Sequence, residues 1–258
     1  MSADELACDL PDGAHVLFTT RRHGNLSSVS GEGAEHGLEM RERLRAQLGV
    51  RRLLRGFQVH GATVQLVGAR ARGGQVRATG QAPATLDTAG PARAMEEIDI
   101  PPDTVARPDV EADGQATALR GLGAMALTAD CLPVALGASG GAVAMVHAGW
   151  RGLAAGVLEE GVRAVRELGG DGEIVAIIGP GAGPCCYEVG EEVHAAFGTA
   201  HRYGRNIDLK AIARERLLTA GVAEVRDVAA CTICDERFFS HRREGARAGR
   251  QGGVAWRD

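Results

Sequence analysis

Apolar residues in this chain fall into many short runs with polar or glycine-rich breaks between them. Residues 14–20 predict a strand that ends at the polar Arg21-Arg-His-Gly-Asn25. Among arginines and glutamates, Leu38, Leu44 and Leu48 recur at helical spacing. They predict an amphipathic helix over residues 37–48, stopped by Gly49. Residues 56–60 and 63–67 read as strand, turn, strand. Residues 68–110 lack periodicity and contain Pro101-Pro102, the pattern of a long surface excursion. Residues 123–128 and 142–146 are apolar enough to be buried strands of one sheet.

A helix is predicted from near Trp150 or Leu153, with Leu158, Val162 and Val165 on one face and Gly169-Gly170 as terminator. Residues 173–178 form the next predicted strand. Gly179-Pro-Gly-Ala-Gly-Pro184 follows as a loop able to turn backbone N–H groups toward an anion, although it lacks the lysine of a P-loop. A short helix over 191–197 comes next. Asp208 then caps another helix, with Leu209, Ile212, Ala213 and Leu217 inward and Gly221 at its end. Residues 222–228 read as a strand, and the tail from Cys231 to Arg243 is polar and rich in groups that can bind anions. No internal repeat is evident.

Composition narrows the function classes. With 258 residues, 45% of them hydrophobic, the chain can bury one large core, and the reading is a single domain over 1–258. A net charge of −4 and 3% aromatic residues give neither the electrostatic footprint nor the stacking surfaces of a nucleic-acid binder. No apolar run approaches the ~20 residues of a membrane span. The acidic Met1-Ser-Ala-Asp-Glu-Leu-Ala-Cys-Asp9 lacks the basic and apolar regions of a signal peptide, so the expectation is a cytoplasmic chain with reduced cysteines.

The candidate chemistry sits where apolar runs end. Cys131 lies in Leu127-Thr-Ala-Asp-Cys-Leu-Pro-Val134, His147 closes Val143-Ala-Met-Val-His147, and His60 closes Phe57-Gln-Val-His60. A lone cysteine there is usually a small hydrophobe, and a lone histidine is more often structural than a ligand. Together, two imidazoles and a thiolate suit Zn²⁺ with one coordination position left open. Cys131 as nucleophile with His147 as base would instead make a cysteine hydrolase. A metal that only supports structure would make the chain an interaction module. Asp130 and Glu188 are the carboxylates nearest these motifs. Arg151, beside the predicted helix start, is the first candidate for an anion contact, ahead of Arg21, Arg242 and Arg243. Cys231-x-x-Cys234 has the spacing of a structural zinc half-site, whereas the adjacent Cys185-Cys186 makes a poor second half. Eight histidines, none in an H-x-H pair, do not suit a multicopper centre.

Gln58-Val-His-Gly61, Ala112-Asp113, Thr128-Ala-Asp-Cys-Leu-Pro133, His147-Ala-Gly-Trp-Arg-Gly152, Ile178-Gly-Pro180, Cys185-Cys-Tyr-Glu-Val-Gly190, Cys231-Thr232, Phe238-Phe-Ser240 and Gly249-Arg250 occur in an order that resembles the polyphenol oxidase or laccase-domain family. That family is also called the peptidoglycan editing factor or purine nucleoside phosphorylase family. Thr20-Arg-Arg-His-Gly-Asn-Leu-Ser27 matches its N-terminal pattern only in part, and Met40-Arg41 stands where Asn-Arg is expected. The resemblance implies an α/β fold, an α-β-β-α-type sandwich with mixed sheets similar to the catalytic domain of cytotoxic necrotizing factor. It implies a transferase and hydrolase acting on purine nucleosides with inorganic phosphate: purine nucleoside phosphorylase, methylthioadenosine phosphorylase and adenosine deaminase. By it His60, Cys131 and His147 become ligands of a catalytic zinc, copper being the other metal considered. Asp130 and Arg151 stand beside them as catalytic candidates, and hydrolysis of a cell-wall precursor is the alternative activity.

Overall fold

The computed structural model describes residues 6–68 and 110–258. The expected excursion at 68–110 therefore lies almost wholly outside the described residues. In chain order the elements are β1 (Leu6–Leu10), β2 (Ala14–Phe18), α1 (Gly37–Gln47), β3 (Arg52–Leu54), β4 (Val64–Val67), β5 (Gly114–Thr117), β6 (Leu122–Thr128), β7 (Leu132–Ala138) and β8 (Val143–Ala148). There follow α2 (Trp150–Ala154), α3 (Val157–Glu167), β9 (Ile174–Ile178), α4 (Glu191–Phe197), β10 (Arg202–Tyr203), β11 (Asn206–Ile207), α5 (Leu209–Thr219), β12 (Glu224–Asp227), α6 (His241–Glu244) and β13 (Gln251–Arg257).

Two mixed sheets result. One runs β1-β2-β13-β6-β3 and the other β12-β9-β7-β8-β5-β4, with β10-β11 as a small ribbon. Side chains alternate across each strand, so each central strand buries two faces. On β7, Leu132, Val134 and Leu136 pack against α3 and α5 through Leu158, Val162, Ile212 and Leu217. Ala135 on the same strand faces the other sheet, where Val16, Phe18, Ala124, Ala126, Met145 and Ile177 meet. The outer face of the five-stranded sheet, with Leu17, Met125 and Val254, is covered by Leu44 of α1. The layers are helix, sheet, sheet, helix, the mixed α/β arrangement expected.

Small residues let the sheets approach. A Cβ at Gly137 would lie 2.8 Å from Leu10 Cβ, and one at Gly253 2.8 Å from Met145 Sδ. This packing corrects the assignment of residues 123–128 and 142–146 to one sheet. β6 pairs with β13 and β3, whereas β8 pairs with β7 and β5. The two strands lie in facing sheets, and apolar content alone cannot distinguish a neighbour in the ladder from one across the core.

Other differences are local. The helix expected from Trp150 onward is broken into α2 and α3 at Gly156, whose φ of 90° is left-handed. Leu38 is 67% exposed, because α1 turns Gly37, Met40 and Leu44 toward the core and leaves Leu38 in solvent. Residues 56–60 are not a strand. Phe57 makes one bridge to Glu111, and His60 takes a φ of +61° in a turn.

The topology gathers loops at one end of the sandwich. β7 begins where its antiparallel neighbour β8 ends, Leu132 facing Ala148, and β5 begins there too, Gly114 facing Val146. β6 ends where β13 begins, Thr128 facing Gln251, and parallel β9 and β12 both end there. Residues 129–131 cross from one sheet to the other at this end.

Candidate functional site

Cys131 and His147 are brought together by register. One step beyond the Leu132–Ala148 pair, Cys131 stands beside Gly149, and His147 faces Pro133. A Cβ on Gly149 would lie 2.9 Å from His60 Cδ2 and 3.0 Å from Cys131 Sγ, so glycine leaves those two side chains their space. His60 arrives from the turn between β3 and β4. One ligand atom from each of His60, Cys131 and His147 lies within 4.8 Å of the others, and the two imidazole centroids are 4.8 Å apart with rings at 71°. His147 is buried, Cys131 partly buried and His60 exposed, so the set opens to solvent on the His60 side.

Asp113, which the sequence reading quoted but gave no role, organises the set. It is 1% exposed and stands just before β5, where its carbonyl accepts the His147 N–H at 2.6 Å. Its carboxylate accepts the His147 Nδ1–H at 2.7 Å, leaving Nε2 to face Cys131. The same carboxylate accepts the N–H groups of Val59, His60 and Gly61 at 3.1, 2.9 and 2.7 Å. Three successive N–H groups aimed at one carboxylate curl the chain and hold His60 in its left-handed turn. Gln58 anchors the entry to that turn, donating to the Leu127 carbonyl at 2.8 Å and accepting its N–H at 2.9 Å.

These contacts set the charges. Burial pushes the Cys131 thiol up, but the His147 charge and hydrogen bonds from both imidazoles outweigh it and bring the thiol to about 6. Burial pulls His147 down, yet the Cys131 thiolate and Asp113 raise it to about 9. Asp113 is raised by burial but held below its ordinary value overall by the hydrogen bond and charge of His147 and by the N–H groups of Gly61 and Val59. The protein groups alone therefore form a thiolate–imidazolium pair backed by a carboxylate.

The other sequence candidates fare differently. Asp130, 6% exposed and at a φ of 89°, has one carboxylate oxygen on the Thr232 hydroxyl at 2.7 Å and the other on the Arg242 N–H at 2.8 Å. Both oxygens are committed to holding the loops that flank Cys131. Arg151 is exposed, its guanidinium 4.4 Å from the Trp150 ring centroid. Glu188 pairs with Arg205 at the surface. Arg21 and Arg243 are spent on the fold: both reach the Phe238 carbonyl and Glu244, and Arg243 also holds the Thr232 carbonyl at 2.8 Å. Arg242 lies 4.8 Å from the Tyr187 ring centroid and donates to the Glu188 carbonyl at 2.6 Å.

Two groups at this end were given no role by the sequence reading. Burial lowers the Arg250 guanidinium, opposed by the charges of Cys131 and Asp130. The Arg250 backbone N–H is fixed by Asn25 Oδ1 at 2.9 Å, and its guanidinium donates to the Ala248 and Gly249 carbonyls at 2.7 and 2.9 Å. The Tyr187 hydroxyl is raised by burial and by Cys131, and lowered by Arg242. Both stand in quoted motifs, Gly249-Arg250 and Cys185-Cys-Tyr187, but their convergence on Cys131 follows from which strand ends meet.

A family model described as multi-copper polyphenol oxidoreductase laccase matches residues 16–258. Over 175 residues the chain is 43% identical to a Xylella fastidiosa protein named purine nucleoside phosphorylase, covering 62% of this chain and 66% of that one. Over 162 residues it is 41% identical to a Pseudomonas aeruginosa protein of the same name, covering 57% and 65%. The matched stretches thus span a little under two thirds of those relatives. Among solved structures, Neisseria meningitidis protein NMB0706 aligns over 99% of both chains with a TM-score of 0.74 and 29% identity. YlmD from Geobacillus stearothermophilus aligns over 100% of this chain and 97% of its own, with a TM-score of 0.76 and 28% identity.

Proposed function

The chain belongs to the multi-copper polyphenol oxidoreductase laccase family, and from that membership and the geometry around Cys131 we propose that it is a zinc-dependent purine nucleoside phosphorylase, with methylthioadenosine phosphorylase and adenosine deaminase activity as further reactions of the same site. The observation that carries the reading is the convergence of His60, Cys131 and His147 with Asp113 behind His147. Relatives named purine nucleoside phosphorylase supply the substrate class.

The donor set fits zinc. One thiolate and two imidazoles make a three-ligand catalytic site, and a carboxylate on the far nitrogen of a ligating histidine fixes its tautomer. Bound between these residues, zinc supplies a Lewis acid that polarises an oxygen or acidifies water. Asp113 orients His147 and pins the His60 turn, while Gly149 leaves the space the ligands enclose. In phosphorolysis a phosphate oxygen bonds to C1′ of the ribose as the bond from C1′ to the purine nitrogen breaks, so the chain must hold an anion beside the sugar. Arg250 and Arg242 are cations placed at this end of the sandwich, and Arg151 is an exposed residue of the first turn of α2.

The test is product identification by liquid chromatography after zinc-loaded protein is incubated with adenosine, with and without inorganic phosphate. Adenine formed only with phosphate is the expected result, and inosine in both samples is expected from deamination. Formation of neither product overturns the nucleoside reading.

A second reading has its own support. The thiol brought to about 6 beside His147, with Asp113 on the far imidazole nitrogen, is the order of a cysteine hydrolase, and its substrate would be a peptidoglycan precursor. Metal removal separates the two: the zinc enzyme loses turnover on chelation, whereas the hydrolase keeps it and loses it on alkylation of Cys131.

A further inference from the structure

The loop after β9 and the loop after β12 each carry two cysteines, and they leave adjacent parallel strands at the same end of the sheet. They are joined by backbone hydrogen bonds, the Thr232 N–H to the Gly181 carbonyl at 3.0 Å and the Gly181 N–H to the Ala230 carbonyl at 3.3 Å. Cys185 and Cys186 lie in a turn in which the N–H groups of Cys186 and Tyr187 both reach the Gly183 carbonyl, at 3.1 and 3.0 Å. On an extended strand neighbouring side chains would point to opposite faces, but in a tight turn they diverge far less. That turn is why the adjacent pair, unpromising in the sequence, can address one centre.

All four sulfurs, of Cys185, Cys186, Cys231 and Cys234, lie within 4.8 Å of one another. Cys234 Sγ is 2.8 Å from Cys186 Sγ and 3.4 Å from Cys185 Sγ. A tetrahedral zinc with sulfur bonds of ~2.3 Å sets its sulfurs about 3.8 Å apart, within the spread seen here. The Gly183 N–H donates to Cys231 Sγ at 3.3 Å, and the N–H groups of Ile233 and Cys234 are aimed at the same sulfur. Backbone donors converging on one sulfur suit a thiolate rather than a thiol.

We propose that Cys185, Cys186, Cys231 and Cys234 form a second metal site, a closed tetrathiolate that takes a zinc ion and clasps the two loops together. Four protein sulfurs complete the coordination shell, so the site is structural, unlike the open set around Cys131. Soft sulfur donors select zinc over magnesium or calcium. Each sulfur still protonated gives its proton to solvent as it binds. The clasp acts on the first site through Thr232, which lies between Cys231 and Cys234 and donates to Asp130, the residue before Cys131. This inference does not rest on the nucleoside reading.

The test is a metal count on the full chain, purified under reductant after growth with zinc. Two zinc ions per chain are expected in the unaltered protein and one in Cys131→Ala. One is also expected in the Cys231→Ser/Cys234→Ser variant, lost from the other position. Cobalt substitution adds a signature, since sulfur-to-cobalt charge transfer should be strong in Cys131→Ala, which keeps four thiolates. Should the double variant fail to fold, alkylation and peptide mapping of the unaltered protein replace it, with zinc expected to protect all four cysteines. A single zinc per chain that disappears in Cys131→Ala overturns the proposal, as does equal alkylation with and without zinc. Recovery of any two of the four as a disulfide in zinc-replete protein overturns it as well.

Discussion

Asp113 shows how one buried carboxylate builds a site from groups distant in sequence. It holds the His60 turn through three backbone N–H groups and His147 through Nδ1. His60, Cys131 and His147 were legible because each closes an apolar run. Asp113 was not, since an aspartate ahead of a glycine reads like any turn residue until the β5–β8 register sets it beside His147. Asp113→Asn keeps the shape but loses the charge, and zinc affinity measured by chelator competition is expected to fall ~10–100-fold, as for other outer partners of ligating histidines. Unchanged affinity would remove Asp113 from the site. The thiolate–imidazolium pair also predicts a proton count. Zinc needs thiolate and neutral imidazole, and between about pH 6 and 9 Cys131 is already deprotonated while His147 still carries its proton. Binding at this site should release at least that proton, so affinity should rise with pH across this window. Calorimetry in the Cys231→Ser/Cys234→Ser variant, run in buffers of different ionisation enthalpy, counts the proton, and zero released at pH 7.5 would contradict the pairing.

Among the elements, those with one clear period were legible. Asp208 caps α5 by accepting the N–H groups of Lys210 and Ala211, both at 3.0 Å, and Leu209, Ile212, Ala213 and Leu217 are all buried as the spacing required. Elements interrupted by one residue's backbone conformation were not. The break between α2 and α3 comes from Gly156, which has open space around it, a Cβ meeting only Glu159 Oε2 at 3.7 Å, but a φ of 90° that L-residues avoid. Gly156→Ala therefore tests conformation apart from crowding. It should cost ~1–2 kcal/mol through the backbone alone. By calorimetry the thermal midpoint should drop by roughly 2–4 °C per kcal/mol, and a midpoint at or above the parent's would show that the helix break tolerates a side chain.

For the whole molecule, the sandwich places chemistry where strand order closes, and the element that does most of the closing is the last one. The sequence pattern predicts no element over β13, where Gly252-Gly253 weakens a strand signal. In the sheet those glycines are what the neighbours require, a Cβ at Gly252 lying 3.0 Å from Leu26 Cδ1 and one at Gly253 2.8 Å from Met145 Sδ. β13 lies between β2 and β6, pairing with both, and Val254 and Ala255 enter the cores on its two faces. It also begins beside Arg250, so it carries that cation to the Cys131 end. β1, by contrast, is an edge strand that among the described residues pairs only with β2. Removing residues 251–258 should thus split the sheet into the separate pairs β1-β2 and β3-β6, expose the inter-sheet face and abolish cooperative unfolding. Removing residues 1–9, which takes most of β1 but keeps Leu10 over Gly137, should lower the midpoint yet leave a cooperative transition. Circular dichroism melts of both truncations against the full chain make the comparison, and a cooperative melt of the C-terminal truncation near the parent midpoint would mean that the five-stranded sheet is not built around β13.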